Sequence, residues 1–154
     1  MIVIGYQGIG KSTLSKKSFK YVDLESGNFW VRNHRYSDWV QVYVNIATDL
    51  SKQGYVVFVS SHKAVREEIS RRRTDQVVVV IYPTLELKDY WIGKLQERYD
   101  RTESEKDFKA LMNALSMFDE NITDLQNEDP GFVKIPIQSE NYNLEDLIQD
   151  CNSH

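Results

Sequence analysis

A chain of 154 residues is one domain's worth of polypeptide, enough for a single well-buried core. Its composition, 41% apolar and 27% charged, is that of a water-soluble globule, and the longest apolar run, Val77 to Tyr82, is a strand's length and far too short to span a bilayer. A net charge of −4 counts against a grip on a nucleic-acid backbone, which usually takes a basic surface. The single cysteine, Cys151, excludes an internal disulfide framework. With no basic leader expected ahead of a first strand at Ile2, the expected setting is a reducing cytoplasm.

In chain order, Ile2–Ile4 predicts a strand that runs into Gly5-Tyr6-Gln7-Gly8-Ile9-Gly10-Lys11-Ser12, and Lys11–Ser18 predicts a helix of about two turns. Phe19–Asp23 reads as a short second strand, and residues 25–37 as a loop holding Gly27, Asn28, aromatic residues and arginines. Ser37 is placed to cap a helix whose Val40, Tyr43, Val44 and Ala47 recur at helical spacing. Tyr55–Val59 is a continuous apolar run, as a strand buried on both faces should be. Ala64–Arg73 predicts a helix ending in three arginines, which suit a helix C-terminus. Val77–Tyr82 is the next strand, closed by Pro83.

From Leu85 to about Asn127 the pattern is helical, with a polar break at Asp100–Ser104. Ser104-x-x-Asp107 caps a second long helix, whose stripe of Phe108, Leu111, Met112, Leu115, Phe118, Ile122 and Leu125 reads as core packing. Phe132–Ile137 is a last strand, and Leu144, Leu147, Ile148 and Cys151 form the face of a terminal helix. Strands alternating with helices predict an α/β fold with a parallel sheet covered on both faces and right-handed crossovers.

The frame Gly5-x-x-x-x-Gly10-Lys11-Ser12 is the G-x-x-x-x-G-K-[ST] pattern of a P-loop, in the strand–loop–helix context that pattern requires. A chance match in a chain this size is on the order of one in a few hundred. Such a loop turns the backbone N–H groups of Gly8, Ile9, Gly10, Lys11, Ser12 and Thr13 onto a β-phosphate, at the positive end of the following helix. Lys11 is the mobile cation for the β- and γ-phosphates and Ser12 offers a hydroxyl to Mg²⁺. The expected cofactors are therefore ATP and Mg²⁺. A strand lying beside the first would release Asp23 and Glu25 at its C-terminal end, beside the phosphates, where open α/β sheets bind ligands. A carboxylate there receives the acceptor's proton or holds water on Mg²⁺, which makes Asp23 the candidate base and second metal contact.

These segments, Gly5–Thr13, then "YVDLESG", then "GYVVFVSSHKAVREEI", resemble the small P-loop kinases of the shikimate, gluconate and nucleoside-monophosphate type. The resemblance implies one three-layer domain over residues 1–154, with a five-stranded parallel sheet of order 2-3-1-4-5. It also implies an acceptor-binding insertion about 25–37 and a helical lid about 85–127. Asp23 matches the family's strand-two aspartate and Glu25 the second acid of its D-x-D. Ser60, Ser61 and His62 match the small polar end of strand three, and Arg98 and Arg101 fall where lid arginines would. Two features depart from the family pattern: the twelve-residue step from Lys11 to Asp23 is short, and strand three does not end in a Walker B aspartate.

The insertion carries Phe29, Trp30, Arg32, Arg35 and Tyr36, whose rings suit base stacking and whose guanidinium groups suit a phosphate. Trp30, Arg32, Arg35, Glu25 and Ser60 are thus the candidate substrate contacts, and a small nucleotide the expected acceptor. Lys63 and Arg66 either reach an anionic acceptor or decorate a helix surface. Two other classes stay open: a polynucleotide 5′-hydroxyl or modified-base kinase, against which the acidic charge counts, and a non-catalytic NTP-binding regulatory protein.

Overall fold

The structure, a computed structural model, describes residues 1–24 and 38–152, together with the backbone of two short strands at Trp30–Val31 and His34–Arg35. Five strands form one all-parallel sheet: β1 (Ile2–Gly5), β2 (Tyr21–Asp23), β5 (Val56–Val59), β6 (Val78–Pro83) and β7 (Val133–Ile137). Their order across the sheet is β2-β5-β1-β6-β7, which is the expected 2-3-1-4-5 of the major strands. The remaining two, β3 (Trp30–Val31) and β4 (His34–Arg35), pair antiparallel as a separate ribbon. Among the described residues the helices are α1 (Lys11–Lys17), α2 (Trp39–Lys52), α3 (Lys63–Arg72), α4 (Lys88–Thr102), α5 (Glu105–Gln126) and α6 (Leu144–Asn152).

Every residue of β1, β5 and β6 is buried, so these central strands are covered on both faces, which is why their sequences are apolar without alternation. The edge strand β7 differs: Val133 is exposed, and Pro136 is tolerated there because one side of the strand needs no ladder donor. Helix α2 packs on β1, β5 and α3 through Tyr43, Val44 and Ala47, and α5 packs on β6 and α4. No helix among the described residues is long and apolar enough to cross a membrane.

Three sequence expectations shift. The second strand begins at Tyr21, the first residue in register with β5, leaving Phe19 in the preceding turn at 97% exposure. The cap Ser37 lies outside the described residues, and Asp38 stands at the head of α2. The α5 stripe divides: Leu111, Phe118, Ile122 and Leu125 are buried, whereas Phe108, Met112 and Leu115 are exposed. Helix α4 covers only part of the face that the spacing made apolar. The Ser104 hydroxyl does accept from the Asp107 N–H, so the expected cap is present.

The two long helices form a hairpin whose sharp turn uses Glu103 in the left-handed region, at φ 50°. Trp91, Leu95, Leu111, Ala114 and Phe118 are all buried, so most of the hairpin is a layer of the core. Around the turn, Arg98, Arg101, Thr102, Lys106 and Asp107 line the cleft described below.

Candidate functional site

The chain leaves β1 toward β2 on one side of the sheet, whereas it leaves the adjacent β5 across β1 toward β6. Loops that diverge in this way open a crevice at the carboxyl ends of the strands. A cleft of about 920 Å³ lies there, lined by residues 7–14 and by Asp23, Ser60, Ser61, Arg98 and Arg101 among others. Segments expected to act together from sequence alone are thus brought to one place: the glycine loop, the ends of β2 and β5, and the hairpin tip.

The loop takes a path that needs glycine at two positions. Gly8 has φ 88° and Gly10 φ 108°, both in the region that side chains disfavour. At Gly5 the reason is space, since a Cβ would stand 2.5 Å from the Ile9 side chain. Lys11 begins α1, and its ammonium donates to the Gly5 carbonyl at 3.2 Å, folding the side chain back along the loop. Ser12 and Thr13 follow on the exposed side of α1 and line the cleft.

Asp23 ends β2 and is half-buried, in register with Phe58. The end of β2 is tied to the end of β5 by a residue that helical spacing marked only as core. The wholly buried Tyr43 of α2 donates its hydroxyl proton to the Leu24 carbonyl at 2.7 Å and accepts from the Ser60 N–H at 2.8 Å. One phenol oxygen therefore sets the spacing of the two strand ends that carry Asp23 and Ser60. Tyr43→Phe strips a partner from a half-buried carbonyl and a half-buried amide, about 1–3 kcal/mol. The expected result is a melting temperature lower by roughly 3–10 °C. A calorimetric scan checks this, and a parental melting temperature would remove the tie.

At the hairpin tip, Arg98 Nε lies 3.0 Å from Asp107 Oδ1, so the guanidinium joins α4 to α5 across the turn. Asp107 is buried and also accepts a hydrogen bond from the Thr102 hydroxyl. Burial opposes its charge, but the Thr102 and Ser104 hydrogen bonds and the Arg98 charge hold its pKa below the ordinary carboxylate value. Arg98 thus has a structural partner and a place on the cleft. Arg101 is exposed and lines the same cleft. Arg66, weighed above as an acceptor contact, is corrected: it is buried, donating from Nε to the Ser61 carbonyl at 2.8 Å and pairing with Glu128 at 2.5 Å. It braces α3 and lines no part of the cleft. Lys63 is exposed and stands 3.9 Å from Glu67 on the helix surface. Glu25 and Arg32 lie outside the described residues, as do Phe29 and Tyr36, and of Trp30 and Arg35 only the backbone is described, paired across the β3–β4 ribbon.

Lys94 escaped the sequence reading. Its ammonium lines the cleft, donates to the Tyr142 hydroxyl at 3.0 Å and lies 4.1 Å from the centroid of the Trp91 ring. Burial first, and the Arg98 charge second, hold its pKa below the ordinary lysine value. The signal was there: Lys94, Arg98 and Arg101 recur at i, i+4 and i+7, a cationic stripe on one face of α4. Among the described residues no group of three His, Cys, Asp or Glu side chains is placed to hold a metal. The donors that do line the cleft, a serine hydroxyl at Ser12 and a carboxylate at Asp23, suit a Mg²⁺ ion that completes its shell with water and phosphate oxygens.

No protein-family model matches the chain, and no curated protein matches it. The case for function therefore rests on the cleft.

Proposed function

We propose that the protein is an ATP- and Mg²⁺-dependent phosphotransferase that moves the γ-phosphate of ATP to a small acceptor, most simply a nucleoside or deoxynucleoside monophosphate. The observation that carries the reading is the delivery of Asp23 and Ser60, from two adjacent strands, to the cleft that the glycine loop and Lys11 line. In this reading the loop amides bind the β-phosphate and the Lys11 ammonium leaves the Gly5 carbonyl for the β- and γ-oxygens. Asp23 orients the acceptor and, where the acceptor oxygen arrives protonated, takes its proton as the phosphoryl group arrives. Ser12 and Asp23 would hold the Mg²⁺, which would supply charge neutralisation on the phosphates. Arg98 and Arg101, presented from the hairpin tip, stabilise the equatorial oxygens of the group in transit.

The acceptor is assigned to the part of the cleft lined by Asp23, Ser60 and Ser61, whose carboxylate and hydroxyls suit hydroxyl or phosphate oxygens. Incubation of the protein with labelled ATP and a panel of nucleoside monophosphates, deoxynucleoside monophosphates and a 5′-hydroxyl oligonucleotide tests the proposal. Label passing to a monophosphate is the expected result. Transfer to the oligonucleotide alone would move the acceptor to polynucleotides, and tight ATP binding with no transfer would favour a regulatory role.

The tip arginines have their own test. Lysine keeps the charge at either position but loses the planar two-nitrogen contact. Arg101→Lys is expected to slow transfer by about tenfold or more at a parental melting temperature, because its side chain is exposed. Arg98→Lys is expected to slow transfer similarly and also to lower the melting temperature, since Asp107 loses a fitted guanidinium. Parental rates in both variants would remove the tip from the mechanism.

A further inference from the structure

We infer that Trp91 and Tyr142 are positioning residues that aim the amide N–H groups of the glycine loop into the cleft. The Trp91 indole N–H donates to the Gln7 carbonyl at 2.9 Å, and the Tyr142 hydroxyl donates to the Ile9 carbonyl at 2.8 Å. The two rings stack on each other, with centroids 5.8 Å apart and planes at 23°, so both carbonyls are drawn to one side of the loop. In a trans peptide the C=O and the N–H of the next residue point in opposite directions. Holding the Gln7 and Ile9 carbonyls on the ring pair therefore turns the N–H groups of Gly8 and Gly10 the other way, as a phosphate cradle needs.

The contact between loop and rings is close. Trp91 is wholly buried, and a Cβ at Gly8 would stand 3.0 Å from its indole nitrogen and 3.2 Å from Leu95 Cδ2. Glycine at position 8 thus serves both the loop's φ and the approach of α4. Lys94 completes the arrangement. Its ammonium lies over both rings, 4.1 Å from the Trp91 centroid and 5.1 Å from that of Tyr142, and donates to the Tyr142 oxygen. That donation occupies the oxygen's acceptor side, so the phenol's own proton is left for Ile9. Burial, with the nearby Tyr90, pushes the Tyr142 pKa up to about 12, so the proton stays in place across the neutral range.

This inference rests on the phosphate reading of the loop and adds to it the means by which the amides are held ready. Donors aimed before binding need no reordering when the polyphosphate enters, and that lowers the cost of association. The test measures affinity for ATP and for inorganic tripolyphosphate, each with Mg²⁺, in the parent, Tyr142→Phe and Trp91→Phe proteins, alongside their ligand-free melting temperatures. Tyr142→Phe removes one oxygen and keeps the stacked ring. It is expected to weaken both polyphosphates about 5- to 30-fold, the loss of a hydrogen bond or two. Trp91→Phe is expected to do the same with a lower melting temperature, because the smaller ring leaves a void. Tyr142→Phe with parental affinity for both polyphosphates overturns the inference and leaves the phosphate reading standing, whatever happens to its melting temperature. A parent protein that binds neither polyphosphate overturns both.

Discussion

Lys11→Ala is expected to cut phosphoryl transfer by about 10²–10³-fold or more while the protein stays folded. The ammonium is assigned to the oxygens of the transferring group, where charge builds up as the bond breaks, so its loss falls on the transition state more than on the bound ground state. Within the folded protein the side chain donates a hydrogen bond to the Gly5 carbonyl. Removing that bond shifts stability by about 1 kcal/mol, or roughly 2–4 °C in melting temperature for a domain of this size. The measurement is a single-turnover assay with saturating ATP, paired with a thermal melt. Turnover within a few-fold of the parent would sink the P-loop reading. A collapsed melting temperature would instead show that Lys11 holds the loop together.

Asp23→Asn is expected to lower kcat by about 10²–10⁴-fold, far more than it weakens ATP binding. The two side chains share a shape, and the pairing of β2 with β5 runs through the backbone, so the strand end stays where it is. What changes is the loss of a negative charge and of a proton acceptor beside the cleft. Two readouts separate this from a structural effect: the acidic limb of the pH–rate profile should vanish, and the dissociation constant for ATP without acceptor or Mg²⁺ should hold. Unchanged turnover with the parental profile would move the base elsewhere, with Glu25 as the next candidate.

These two residues were legible in the sequence because each belongs to a contiguous signature. The glycine pattern spans eight consecutive residues, and its path follows from local backbone geometry, with Gly8 and Gly10 at positive φ. Asp23 follows from a short strand that must end beside the loop once the sheet is parallel. The alternation of strands and helices, the continuous apolar runs of β5 and β6, and the Ser104 cap are likewise local features, and the structure shows them all. Helix spacing was less reliable at assigning what covers a face. Period alone cannot tell the buried Leu111 from the exposed Leu115.

By itself, then, the sequence determined the strand–loop–helix glycine motif, the α/β class and the residues at the strand ends, since each is written within a span of chain that folds locally. The tertiary structure decided which side chains support them. Trp91 reaches back 84 residues to Gln7, and Tyr142 reaches back 133 residues to Ile9. Arg66 finds Glu128 across 62 residues and becomes a buried brace instead of an open cation. Tyr43 bonds two strand ends that meet only when β2 and β5 pair. None of these contacts leaves a periodic or adjacent trace in the sequence. A hydrogen bond between distant residues depends on where the packed core sets their backbones, and that position exists only once the sheet and both helix layers are assembled.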